Sequence, residues 1–420
     1  MVIRFNKDKT YSIWEKIAVA LVALSPILQH YKGIVVYSGL IALMLPMGYA
    51  AIRMIKGTVI PMKTLAIVVP LIPYYIFRLL DHGITFYKLT YVMLLLLYAL
   101  VFIAGLMSSK LFIKIAISVS CVASVLIIIQ YICYYVLGFH LRLVYTPLLL
   151  GNASQWIKLT QTGHIGISGK YSPLYRPSSF FLEPAHMFVY LFPCLFYELL
   201  HPDVEERGKK KAILLSIGIV FSTSGMGCLV VAMAWMLYFA KRGGKNNRVS
   251  IMKLLRPRNI VLVTLLAAFV TFLYFRVSFI RDNFGRIINS SERESAISGR
   301  TAKGGELIGQ LHGWRLFFGI ADSYAEEIEF HMSGFNGSMY RYGIIGTILS
   351  YGFYIKSLFS VKNQYFWIAF VVIAISFFSA HSHTTFYMLY FMIFLIDGYH
   401  ANNSQKICWE RLRLSKALSS

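Results

Sequence analysis

Apolar residues run in blocks of about twenty along most of this chain, and polar residues punctuate those blocks rather than alternating with them. A helix of about 20 apolar residues spans the roughly 30 Å hydrocarbon core of a bilayer. The pattern predicts such spans at about 13–31, 33–52, 60–80, 88–108, 111–139 and 180–200, then at about 259–277, 338–355, 364–380 and 383–398. The apolar run 212–240 is too long for one span and too short for two full ones, and Ser222-Thr223-Ser224-Gly225 interrupts its middle. Two short helices meeting at that polar break fit it best. The expected fold is an all-α integral membrane protein of about 12 transmembrane helices, a single polytopic domain over 1–420. Two long segments, 140–179 and 278–337, remain as large extracytoplasmic loops.

Charge changes the picture by giving the helices a direction. Only 14% of the 420 residues are charged and 57% are hydrophobic, where a soluble domain carries roughly 25% charge. The net charge of +23 would suggest nucleic acid in a soluble protein. Here most Lys and Arg border hydrophobic spans, as the positive-inside bias requires, and no nucleic acid is expected. Arg4, Lys7 and Lys9 put the N-terminus in the cytoplasm, and Arg411, Arg413 and Lys416 put the C-terminus there too. Lys209-Lys210-Lys211 and the cluster from Lys241 to Arg258 mark both flanks of 212–240 as cytoplasmic, so that run crosses an even number of times. The basic N-terminus leads into an apolar stretch with no small-residue cleavage site, and reads as a retained first helix. The five cysteines show neither metal-ligand spacing nor a disulfide framework.

The outer loops carry the candidate chemistry. Segment 140–179 holds Arg142, Lys158, Lys170 and Arg176 and no acidic residue, whereas 278–337 mixes basic residues, Arg281 and Arg300 among them, with eight acidic ones. Arg at a helix centre costs about 2.5–3.5 kcal/mol on insertion scales, so basic residues at an outer membrane edge point to an anionic ligand, or else to headgroup snorkelling. Lipid phosphates and pyrophosphates are the obvious anions, and the Arg fork binds oxyanions bidentately. In Arg176-Pro177-Ser178-Ser179-Phe180-Phe181-Leu182-Glu183-Pro184-Ala185-His186, Pro184 suits the first turn of a helix and sets Glu183 near the N-cap. Two readings of Glu183 stand together: a general base, or a helix cap paired with an Arg. His331 precedes a membrane helix, where it is either a structural hydrogen bonder or a catalytic group. Trp156, Trp314, Phe317 and Phe318 read as packing residues of the loops. His381 and His383 lack carboxylate or cysteine partners, so no metal site is expected.

Assembled, these residues resemble the Wzy-type O-antigen and capsular polysaccharide repeat-unit polymerases, and more distantly the O-antigen ligases. The likeness lies in Arg176-Pro177 through Glu183-Pro184, in the Ser222-Thr223-Ser224-Gly225 break, in Ser298-Gly299-Arg300, and in Ser333-Gly334 followed by Gly343-Ile344-Ile345-Gly346. His331-Met332 stands one residue too far upstream for the ligase pattern, which favours the polymerase. The resemblance implies a metal-independent glycosyltransferase without cofactor in the bacterial cytoplasmic membrane, joining undecaprenyl-pyrophosphate-linked oligosaccharides at its outer face. It implies Arg176, Arg300 and Arg281 for the pyrophosphate, Glu183 and then His331 for acid–base work, and a flippase and a chain-length regulator as partners. Ligase-like transfer and a lipid-linked oligosaccharide flippase are the alternatives; unequal halves and long loops speak against a transporter.

Overall fold

The computed structural model describes residues 11–31, 38–55, 98–144, 177–201, 209–222, 225–241, 305–320, 333–378 and 386–401. The spans expected at 60–80 and 259–277 lie outside them, as do His381 and His383. Among the described residues the fold is all-helical, without strands. Two helices, α2 (Ser38–Ile55) and α3 (Ser109–Tyr135), are long and apolar enough to cross a membrane. Shorter apolar helices accompany them: α1 (Ile13–Leu28), α4 (Pro184–Leu200), α5 (Lys210–Phe221) and α6 (Gly225–Lys241). A single turn, α7 (Trp314–Phe318), precedes α8 (Gly334–Ser360), α9 (Gln364–Phe378) and α10 (Phe386–Ala401).

Local chemistry sets these boundaries. Ser12, Ser108 and Ser333 cap α1, α3 and α8, each hydroxyl accepting a backbone N–H of the first turn. Helix α3 ends several residues before the expected 139, because Gly138 adopts φ +71° and the Phe139 N–H turns back to the Cys133 carbonyl. Helix α4 starts at Pro184, where the motif sets its first turn, four residues inside the apolar run from 180, since the Phe181 N–H closes a turn on the Ser178 carbonyl. The run 212–240 divides into α5 and α6 about the polar break, as its pattern predicts.

Helix α4 is the centre of the bundle: Met187 through Phe196 are buried without a gap. It packs on α3, α5, α6 and α9, and on α10 through its tyrosines. The Tyr190 and Tyr390 rings stack at 4.4 Å between centroids, and the Tyr390 hydroxyl donates to the Tyr190 carbonyl at 3.0 Å. Within this layer Ser120 of α3 donates to the Cys194 sulfur at 3.4 Å, which lies 3.3 Å from the Tyr390 hydroxyl, and further buried polar groups stand toward the two ends. At one end Asp397 of α10 accepts from Ser109 of α3 at 2.7 Å and from Tyr365 of α9 at 2.6 Å. Arg53 of α2 donates to the Leu106 carbonyl at 2.8 Å there and lies 3.9 Å from Glu15 of α1. At the other end stand Gln130, Ser179, His186 and Tyr387. Helices α1 and α3 therefore run opposite to α4 and α10.

Small residues let the helices approach. A Cβ at Gly218 of α5 would overlap the Ser124 side chain of α3, and one at Gly39 of α2 would stand 2.7 Å from the Gln29 Cα. Close approach of this kind lets paired helices gain dispersion contacts. Gly218→Val is expected to wedge α5 from α3, costing about 2 kcal/mol or more and lowering the thermal midpoint of the purified chain. Gly48→Ala, where an added Cβ meets nothing within 4 Å, should leave the midpoint unchanged or raise it.

Candidate functional site

The segment 177–186 folds as a tight turn running into the head of α4. Pro177 to Ser179 are buried, and the turn closes through the Phe181 N–H to Ser178 carbonyl bond and the Ser178 hydroxyl donating to the Phe181 carbonyl at 2.7 Å. Ser179 holds φ +54°, a left-handed conformation that costs a residue with a Cβ about 1–2 kcal/mol. Its N–H donates to the Gln130 Oε1 at 2.8 Å, while its own buried hydroxyl makes no hydrogen bond among the described residues. The surrounding packing thus imposes the turn on a residue that would not choose it.

Glu183 is extended (φ −140°, ψ 156°) at the N-cap of α4, with Pro184 as the first helical residue. The Glu183 carboxylate does not cap the helix, which removes the first half of the capping reading. It lies within electrostatic range of the Tyr387 phenol of α10. One turn into α4, the buried His186 ring stacks on His30, which follows α1, at 4.6 Å and 7° between planes. The Tyr387 hydroxyl donates to the His186 carbonyl at 3.0 Å. Leu182 and Tyr31 pack on Val144, which is buried just past the end of α3. The heads of α4 and α10 and the ends of α1 and α3 therefore meet around Glu183.

A second constellation joins the two glycine-bearing motifs of the later loop. Helix α8 breaks at Gly343, whose φ +65° and ψ −171° are not helical. A Cβ there would overlap the Phe317 carbonyl group, so the backbone of α7 sits directly on the break. The Ile320 N–H donates to the Tyr340 carbonyl at 2.9 Å, fastening the two segments together. Leu311 and Tyr340, with Leu307, Leu316 and Ile320, form the small core of this contact. Trp314 and Phe317 are not packing residues, contrary to expectation: they are 74% and 46% exposed. The reason is that α7 docks through its main chain and Leu316, which turns its aromatic side chains outward.

Of the residues expected for acid–base work and the pyrophosphate, Glu183 alone falls among the described ones; Arg176, Arg281, Arg300 and His331 lie outside them. Three neighbours of Glu183 escaped sequence reasoning: Gln130, His30 and Tyr387. Gln130 carried a signal, a polar amide inside a long apolar run, which usually has a bonding partner or a role. Among the described residues no three His, Cys, Asp or Glu side chains stand close enough to hold a metal ion.

The left-handed turn generates a stability test. Ser179→Gly relieves the backbone and deletes a buried hydroxyl, and is expected to match or exceed the native thermal midpoint. Ser179→Val, β-branched at positive φ, should lose about 2 kcal/mol or more, read in the same melting experiment.

Compared with family models, with curated proteins and with solved structures, the chain matches none of them.

Proposed function

We propose that this chain is a membrane glycosyltransferase that polymerises undecaprenyl-pyrophosphate-linked oligosaccharide repeat units at the outer face of the bacterial cytoplasmic membrane. The observation that carries the reading is the arrangement of Glu183. Its carboxylate starts a helix without capping it, at one end of an apolar bundle, beside a buried turn that continues the Arg176-Pro177 approach. In this reading the chain crosses the membrane about a dozen times with both termini inside, and the Glu183 end faces outward. The exposed Trp314 offers an aromatic face on the outer side, of the kind that stacks on sugar rings.

The chemistry follows from the groups. An acceptor hydroxyl oxygen attacks the anomeric carbon of the donor sugar, and the new C–O bond forms as the bond to the diphosphate oxygen breaks. Undecaprenyl pyrophosphate departs with the bonding pair, and the acceptor's proton passes to Glu183. Two needs follow: a base near the hydroxyl, and fixed positive charge for the leaving diphosphate. Glu183 meets the first, with His331 as the alternative base. Arg176 and Arg300, then Arg281, meet the second, because guanidinium stays protonated and binds phosphate oxygens in pairs.

The test is the size distribution of surface polysaccharide from a strain deleted for this gene and complemented with variants. Deletion is expected to remove long chains while single repeat units persist on lipid or at the surface. Normally inserted Arg176→Ala, Arg300→Ala and Glu183→Gln proteins should fail to restore them, the Glu183 variant losing about 100-fold or more in rate. Long chains persisting unattached would indicate a ligase instead. Lipid-linked units trapped inside would indicate a transporter.

A further inference from the structure

Gln130 makes an unusual connection. It lies 2% exposed near the end of α3, and its side-chain amide bonds in two directions. The Nε2 donates to the Leu141 carbonyl at 3.0 Å, and the Oε1 accepts from the Ser179 N–H at 2.8 Å. Leu141 and Ser179 stand at opposite ends of the acid-free stretch, so one buried amide ties the start of that stretch to its finish. Leaving either buried polar atom unbonded would cost about 1–3 kcal/mol, so the tie is held firmly.

Arg142 follows Leu141 directly, and two residues later Val144 is buried against Tyr31 and Leu182. The backbone of Arg142 is therefore pinned on both sides while its side chain is exposed. Its guanidinium makes no hydrogen bond or ion pair among the described residues. Leu182, on the far side of Val144, is the residue before Glu183. An arginine whose backbone is held in position, without a partner among the described residues, next to the segment that carries Glu183 suits binding an oxyanion in a set orientation.

We propose that Arg142, held beside the Glu183 segment by the Gln130 amide, is a further diphosphate-binding residue of the site. Arg142 touches the phosphate oxygens, and Gln130 is the residue that positions it. The ligand chemistry is phosphate on a lipid, which a polyprenyl diphosphate or an ordinary phospholipid headgroup would both present. The inference rests on the glycosyltransferase reading only for which of the two is bound during turnover.

The experiment titrates farnesyl diphosphate onto the purified full-length chain in a phospholipid-free detergent, following binding by thermophoresis. Arg142→Ala is expected to weaken binding about 10- to 100-fold, the usual worth of a charge-assisted phosphate contact, and Arg142→Lys should recover part of it. Gln130→Met, which keeps the shape and removes both bonds, should weaken binding about 10-fold. The Gln130→Met/Arg142→Ala double variant should be no weaker than Arg142→Ala alone, because the amide acts through the arginine. Four outcomes overturn the proposal: no binding to the wild-type chain, Arg142→Ala within twofold of wild type, a Gln130→Met variant that binds normally, or losses that multiply in the double variant. The two readings fail separately. Arg142-dependent binding in a chain whose deletion leaves long polysaccharide intact removes the polymerase and keeps the site; lost polysaccharide with normal binding by Arg142→Ala does the reverse.

Discussion

Helix α4 is enclosed by other helices over most of its length, and everything at its head is anchored by that packing. A helix apolar on every face belongs in an interior, and α4 satisfies this with its run of buried residues from Met187 to Phe196. Pro193 interrupts the regular ladder inside the helix, yet neighbouring helices hold it in place. Glu183 therefore projects from a rigid post rather than from a loop. Catalytic and binding groups gain from this, since a displacement of about 1 Å already costs large factors in rate.

Buried polar groups run along the bundle, and each described cluster bonds across helices. Asp397, Tyr365 and Ser109 bond one another at one end, and Gln130, Ser179, His186 and Tyr387 cluster at the other. The layer between them is closed by aromatic contacts, by close approach at glycine and by the Ser120–Cys194–Tyr390 hydrogen bonds. Each such interhelical hydrogen bond contributes about 0.5–1.5 kcal/mol net. Orientation and register are what these bonds supply, more than bulk stability.

Much of this was legible in the chain because the length of an apolar run is a one-dimensional property. The head of α4 at Pro184, the division into α5 and α6, and Glu183 at the N-cap all follow from local patterns. The Gln130 tie does not, because its partners lie 11 and 49 residues away and are main-chain atoms without a side-chain signature. The His30–His186 stack is hidden for a similar reason, joining the end of α1 to the head of α4. Trp314 misled in the opposite sense. An aromatic residue in a loop suggests a core, but a five-residue helix seated by its backbone on Gly343 has no interior to offer it.

The tyrosines of α10 carry an asymmetry with an evolutionary reading. Tyr387 and Tyr390 grip α4 through the carbonyls of His186 and Tyr190, atoms that every amino acid possesses. The genetic information for these two bonds is written entirely in α10. Residues at the head of α4 can then diversify through successive substitutions while those bonds stay intact, whereas replacing a single tyrosine on the opposing helix removes one of them outright.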